Sequence, residues 1–249
     1  MKIIYLPLSA LCLSLSLLFF PVKNAGSKNV SSGNITMVNT DSHQATEEVT
    51  AESASLRIYD SLKLNNLGLS KEAMLYAYKG HQSLVEKGLL SNPDVLTVCD
   101  FTQSSQSKRM YIIDIKNYKV LLNTYVAHGR NSGLDYADKF SNRPESLESS
   151  LGFYVTKNTY LGKHGLSLKL SGLDHGFNDN AESRDVVVHG APYIGDQRLN
   201  SAYMGRSFGC PAVPQKLATK VINLIKNGTC LFIYHPNQSY FQNSTILNG

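Results

Sequence analysis

Residues 189–210 read HGAPYIGDQRLNSAYMGRSFGC, and this stretch contains the strongest indications of fold and chemistry in the chain. It begins with a histidine directly after the apolar run at 186–188 and ends with a cysteine between Gly209 and Pro211. Three interpretations of Cys210 are open. In the first, Cys210 is a small buried apolar residue; in the second, it is half of a disulfide; in the third, it is a nucleophile whose base is His189.

The residues around Cys210 suit the nucleophile interpretation. A cysteine attacks as the thiolate, so it needs a base or a cation nearby. Gly209 lets the backbone turn sharply and leaves amide groups near the sulfur, where they can stabilise an oxyanion. His189 would stand at the end of a strand, with Gly190 making room for a substrate.

Composition places the chain among ordinary globular proteins. Of its 249 residues, 42% are hydrophobic and 17% are charged. The formal charge of +5 is mild, and no cluster of lysine and arginine or basic helix occurs. The sequence therefore predicts no nucleic-acid partner.

The N-terminal segment predicts export. In residues 1–25, Lys2 precedes roughly twenty mostly apolar residues, as in a signal peptide, and the span is long enough to remain as an N-terminal membrane anchor. Residues 26–55 are rich in Ser, Thr, Asn and Glu and predict a flexible tether. We expect a periplasmic or other extracytoplasmic location.

The rest of the chain predicts a mostly β fold with flanking helices, of the α+β class. Residues 56–92 show helical spacing, with Ser70 as an N-cap and Gly88 as a stop, and predict a helical cap. Residues 93–238 predict the main domain, and residues 239–249 a polar tail. In the main domain a helix is predicted from Pro214 to Gly228, and strands are predicted in 94–101, 108–117, 119–129, 151–162, 184–190 and 229–236.

Three cysteines follow the N-terminal segment: Cys99, Cys210 and Cys230. Cys99 and Cys230 each lie in an apolar run without turn residues, which favours reduced thiols in strand cores. A Cys99–Cys230 disulfide is the alternative, and it would leave Cys210 free.

Histidines beside glycines raise the question of a zinc hydrolase. These are His128, His164 and His175, with Asp174 and Asp179 close to the last of them. No H-E-x-x-H or comparable ligand pair is present, so we predict no metal and no cofactor. The run GLDHGFNDNA at 172–181 lacks the spacing of a calcium loop and predicts a structural turn.

Several phrases in order resemble one known family. They are HGRNSG, FSNRPESLESSLGFY, YLGKHGLSLKLSGLDHGFNDNA, VVVHGA and GRSFGCPAV, between Val95 and Pro236. Together they resemble the murein L,D-transpeptidase catalytic domain family, the YkuD-like cysteine enzymes that bacteria export to act on peptidoglycan. The resemblance implies a β-sandwich or barrel catalytic domain.

The resemblance also implies roles for particular residues. Cys210 matches the acylated nucleophile, His189 the general base, and Ser207 and Gly209 the motif positions that shape the site. It implies that a backbone carbonyl orients the imidazole. The oxyanion hole would be formed by the amide of Cys210 with that of Gly209 or Phe208.

One departure from the family concerns substrate binding. The broader family carries an arginine shortly after the cysteine, where this chain has Pro211, Ala212 and Val213. The anchor for the donor carboxylate is therefore undefined, with Arg206 and Arg130 as candidates. The further predicted substrate contacts are Gly190, Ser132 in HGRNSG, and Tyr193 as part of a lid.

The implied function is acyl transfer on peptidoglycan stem peptides. Cys210 would cleave the L,D bond before the terminal D-alanine, form a thioester and transfer it to an amine, giving a 3-3 cross-link. With water as acceptor the same chemistry makes an L,D-carboxypeptidase. A non-catalytic wall-binding protein is the alternative from another class.

Overall fold

The computed structural model describes residues 50–249. The helices are α1 (Ala51–Ser61), α2 (Lys71–Glu86), α3 (Ala218–Ile225), α4 (Gln238–Asn243) and α5 (Thr245–Asn248). The strands are β1 (Val95–Asp100), β2 (Met110–Asp114), β3 (Lys119–Thr124), β4 (Gly152–Gly162), β5 (Gly165–Gly172), β6 (Val187–Ala191), β7 (Ala212–Pro214) and β8 (Cys230–Tyr234).

The eight strands form one sheet in the order β3-β2-β1-β8-β4-β5-β6-β7. Neighbours are antiparallel except for β1 with β8 and β6 with β7. The chain after β3 turns back to the opposite edge, where Ala127 N–H donates to the carbonyl of Ala212 in β7 at 2.8 Å. The sheet therefore nearly closes on itself like a barrel, and the predicted β-rich fold with flanking helices is confirmed.

Helix α2 packs against the sheet at a close approach. The Ser70 hydroxyl accepts Ala73 N–H at 3.1 Å, and Gly88 follows the helix with φ +65°, so the predicted start and stop are confirmed. A Cβ at Gly80 would lie 2.0 Å from the Phe153 ring. Only glycine lets this ring of β4 touch the helix backbone, which places the predicted cap and the sheet in one core.

The structure corrects the predicted start of the helical region. Helix α1 begins at Ala51, inside the segment 26–55 predicted as a tether, and Thr50 caps it by accepting Ser53 N–H at 3.2 Å. Its first turn is polar and mostly exposed, so apolar periodicity begins later than the helix does. The predicted signal at 1–25 and tether residues 26–49 lie outside the described residues.

The predicted polar tail is also corrected, because α4 and α5 pack onto the domain. Tyr240 and Leu247 are buried, although most residues from Asn237 to Gly249 are polar. The buried carboxylate of Asp174 accepts hydrogen bonds from the Tyr240 hydroxyl at 3.0 Å, from the Ser244 hydroxyl, and from Phe153 N–H of β4 at 2.7 Å. The loop at 172–181 is thus a structural turn, as predicted, that fastens the C-terminus to the sheet.

The start of the third helix differs from the sequence prediction. Pro214 ends β7, residues Gln215–Leu217 form a 3₁₀ turn, and α3 begins only at Ala218. Pairing with β6 therefore keeps Pro214 in strand β7, although the helical periodicity of the sequence begins at this residue.

Cys99 and Cys230 are free and fully buried in β1 and β8. Burial raises the pKa of the Cys99 thiol to about 12, and it raises that of Cys230 as well. The prediction of reduced thiols in strand cores is confirmed. In the part of the chain that the structure describes, no helix has the length and apolarity needed to cross a bilayer.

Candidate functional site

Cys210 lies just before β7, beside the first residues of β6. Its sulfur accepts Val187 N–H at 3.5 Å, and its thiol points to the carbonyl of Asp185 at 3.5 Å. Gly209 precedes it with φ +122°, and a Cβ there would lie 2.8 Å from the carbonyl oxygen of Glu148. Glycine is therefore required for the turn that presents the sulfur.

His189 lies on β6, two residues after Val187. Its imidazole lines the same cavity as the Cys210 sulfur. Its Nδ1–H donates to the Gly190 carbonyl at 2.9 Å, which leaves the Nε2 lone pair to accept a proton. Burial lowers the pKa of His189, and the hydrogen bond to Gly190 opposes that shift. The ring is therefore neutral near pH 7.

Both groups line one cavity of about 690 Å³. The β4–β5 hairpin forms another wall of it, and Tyr193 and Phe208 lie on the segment between His189 and Cys210. Among residues 50–249 no hydrogen bond joins the Cys210 sulfur to His189. Hydrogen bonds between a nucleophile and its base are often long before substrate binds.

Ser207 organises the backbone that carries the cysteine. Its hydroxyl donates to the Cys210 carbonyl at 2.6 Å and accepts Gly209 N–H at 3.1 Å, while its own N–H donates to the His128 carbonyl at 2.9 Å. Gly209 N–H is thus already engaged. The backbone N–H groups of Phe208 and Cys210 have no hydrogen-bond partner within residues 50–249. These two groups are therefore the pair that can stabilise an oxyanion.

A buried arginine, which the sequence analysis did not single out, supports this backbone. Arg109 has no exposed surface and donates to the carbonyls of Val126 at 3.0 and 3.1 Å and Gln103 at 2.9 Å, and to His128 Nδ1 at 2.7 Å. Burial and the charge of Arg109 lower the pKa of His128 to about 4. Neutral His128 therefore accepts from Arg109, and its carbonyl positions Ser207.

Of the five predicted substrate contacts, two line the cavity and three do not. Arg206 and Tyr193 line the cavity, although two backbone carbonyls occupy the Arg206 guanidinium, one of them that of Arg130 at 2.7 Å. Arg130 lies outside the cavity wall, with its guanidinium 5.7 Å from the Phe208 ring centroid.

Two other predicted contacts do not reach the cavity. A Cβ at Gly190 would lie 2.8 Å from Ala218 of α3, so this glycine makes room for a helix and not for a substrate. Ser132 is fully buried, and its hydroxyl accepts Ser149 N–H at 2.9 Å. Both positions therefore stabilise the scaffold around the site.

The remaining histidines and acids do not assemble a metal site. From Thr50 to Gly249 no group of three or more His, Cys, Asp or Glu side chains could hold a metal ion. His175 and Asp179 form an exposed pair at 2.8 Å, whereas His164 lines the cavity with Cys210.

The domain is thus a nearly closed sheet that carries a cysteine and a histidine on one cavity. Residues 65–234, more than half of the chain, match the family described as the L,D-transpeptidase catalytic domain. The chain belongs to this family, which is one of enzymes. None of the curated proteins matches the sequence significantly.

Solved structures of L,D-transpeptidases are similar at low identity. One from Mycobacterium smegmatis is 15% identical with a TM-score of 0.36, covering 57% of this chain and 59% of that one. L,D-transpeptidase 3 from Mycobacterium tuberculosis is 12% identical with a TM-score of 0.33, covering 57% and 61%. One from Enterococcus faecium is 14% identical with a TM-score of 0.35, covering 57% and 50%. The chain thus spans less than two thirds of each.

The charge state of Cys210 leads to a testable pH dependence. Burial raises the pKa of its thiol, although Val187 N–H and the charge of Arg184 oppose the shift. A raised pKa means less thiolate at neutral pH, so alkylation by iodoacetamide should be slow there and accelerate above ~8.5, where free cysteine ionises. Peptide mapping of protein alkylated for different times at each pH measures the rate of Cys210 alkylation. A rate independent of pH from about 6 to about 9 would indicate a preformed thiolate and contradict the prediction.

Proposed function

We propose that this chain is a cysteine acyltransferase acting on peptidoglycan stem peptides, with Cys210 as nucleophile and His189 as general base. The observation that carries the proposal is the placement of the Cys210 sulfur and the imidazole with its free Nε2 on one cavity, in a chain of the L,D-transpeptidase family.

The first half of the reaction acylates Cys210. The thiol proton passes to His189 Nε2 as the sulfur attacks the carbonyl of the third residue of a tetrapeptide stem. The resulting oxyanion accepts hydrogen bonds from the amides of Cys210 and Phe208. When the L,D bond breaks, His189 returns the proton to the leaving amine, so that D-alanine departs and a thioester remains.

The second half transfers the acyl group. An amine of a neighbouring stem gives a 3-3 cross-link, and water gives a tripeptide. The cavity wall carries Lys163, Arg184 and Arg206 against one acid, Asp185. This positive balance suits a donor that bears carboxylates, and Arg206 or Lys163 would face the terminal carboxylate.

The proposed substrate lies outside the cytoplasm, so the function requires export. Residues 1–25 would supply it as a signal peptide or an N-terminal membrane anchor, and we place the domain in the periplasm or at another extracytoplasmic site. Stem peptides are the proposed partner, and no cofactor takes part.

The test is incubation of the protein with purified disaccharide tetrapeptides, followed by mass spectrometry of products and protein. We expect a dimer lighter by one alanine, no product with Cys210→Ala, and retained product with Cys99→Ala, the same change at a buried thiol. Tripeptide alone would favour the carboxypeptidase. Unchanged substrate and unmodified Cys210 would refute the proposal in favour of a wall-binding protein.

A further inference from the structure

A second imidazole stands beside the proposed base. His164 lies in the turn of the β4–β5 hairpin, and its ring stacks on that of His189 with centroids 4.3 Å apart and planes 23° apart. Both rings line the cavity that contains Cys210. His189 is 4% exposed, whereas His164 is partly exposed, and its ring nitrogens have no hydrogen-bond partner in residues 50–249.

The position of His164 follows from the sheet. Strand β5 pairs with β6 so that Ser167 lies opposite His189. The hairpin turn, in which His164 lies three residues before Ser167, is therefore held next to the strand that carries the base. Gly165 closes the turn with φ +79°, a conformation that favours glycine.

Transfer to an amine requires the removal of two protons. A side-chain amine of a stem peptide is an ammonium at neutral pH, because such amines have a pKa of about 10. The ammonium has no lone pair and must lose one proton before it attacks the thioester. The adduct then loses a second proton as the amide forms. Water already has a lone pair, so hydrolysis requires only one base.

We propose that His164 is a catalytic base for the acceptor, taking the first proton from its ammonium group; this rests on the proposed function of Cys210. The neutral amine attacks the thioester carbonyl, and His189 takes the second proton from the nitrogen of the adduct. The C–S bond then breaks as His189 returns that proton to the Cys210 sulfur. His164 releases its proton to solvent, which restores both rings.

The charges around the two rings favour this order of events. Two stacked imidazoles cannot both be protonated without strong like-charge repulsion, so each proton leaves before the next arrives. Lys163 from the same hairpin, with Arg184 and Arg206 across the cavity, outnumbers the single acid Asp185. These cations disfavour a bound ammonium and favour its deprotonation at the cavity. Burial is the main cause of the lowered pKa of His189, and the charge of His164 acts in the same direction.

The test separates the two halves of the reaction in His164→Phe, which keeps a ring for stacking but has no base. We expect D-alanine release in a single turnover within about 3-fold of wild type, a fall of about 10²-fold in cross-linked dimer, and undiminished tripeptide. His164→Gln should behave in the same way. His175→Phe, the same change at an exposed histidine, should alter none of the three.

A second experiment uses hydroxylamine as the acceptor. Hydroxylamine is largely unprotonated at neutral pH and therefore needs no base before it attacks the thioester. His164→Phe should transfer the acyl group to hydroxylamine as fast as wild type. An equal fall in acylation and transfer, an unaffected dimer yield, or a defect that hydroxylamine does not relieve would overturn the assignment. The assignment of His164 would also be overturned if the wild-type protein were acylated at Cys210 but made only tripeptide, a result that leaves the proposed acylation intact. If the wild-type protein were not acylated at all, the proposed function itself would be refuted.

Discussion

Replacing His189 with glutamine should lower the rate of Cys210 acylation at pH 7 by about 10²- to 10⁴-fold, the usual contribution of a general base. The glutamine amide can still donate to the Gly190 carbonyl, the partner of Nδ1 in the native chain. It cannot accept the thiol proton, and the raised pKa of Cys210 leaves little thiolate to react without help. Quenched single-turnover release of D-alanine, followed by mass spectrometry, measures the rate.

The deficit should shrink as the pH rises. Above the raised pKa of Cys210 the sulfur ionises without a base, so the mutant rate should approach that of wild type. Circular dichroism and thermal unfolding would establish that the variant is folded, as expected for a substitution of similar size. A folded His189→Gln variant that acylates within a few-fold of wild type at pH 7 would exclude His189 as the base.

Replacing Arg109 with methionine should lower the free energy of unfolding by about 3–5 kcal/mol, because an acceptor left without its donor costs about 1–3 kcal/mol and Arg109 serves three. Methionine fills much of the volume but donates no hydrogen bond. Three acceptors would lose their donor: the carbonyl of Val126 and the Nδ1 of His128, which are buried, and the carbonyl of Gln103, which is partly buried. Urea unfolding of the purified protein measures the loss.

Arg143→Met provides the matched control. Arg143 is exposed, and its side chain has no polar contact within residues 50–249, so the same substitution should change stability by less than about 0.5 kcal/mol. We also expect Arg109→Met to slow acylation under native conditions, because the His128 carbonyl that Arg109 supports holds Ser207. A loss of stability below about 1 kcal/mol would show that water or a rearranged loop replaces the lost donors.

Prediction of secondary structure succeeded where one segment contains its own signal. The sequence predicts strands β1, β2, β3, β4, β6 and β8 from their aliphatic, β-branched and aromatic residues, and α2 because Ser70 and Gly88 bound a periodic run. Strand β5 was not singled out, since its sequence GLSLKLSG is rich in glycine and serine. It is a strand because both its neighbours, β4 and β6, supply hydrogen bonds.

The C-terminal segment shows a different limit. Its composition is polar, and two short helices of six and four residues are too short to be stable alone. They are held by the buried carboxylate of Asp174, some seventy residues earlier in the chain, through Tyr240 and Ser244. A contact over that separation leaves no local pattern in the sequence.

By itself the sequence determined the class of fold, the family resemblance, and the pairing of Cys210 with His189 as candidate nucleophile and base. Motif residues and periodicity are local, and these conclusions depend on them alone. Only the tertiary structure decided which polar residues share the cavity, bringing His164 onto His189 while turning Gly190 toward α3 and burying Ser132. The physical reason is that strand register and long-range packing set the direction of each side chain, and neither is specified by any single segment.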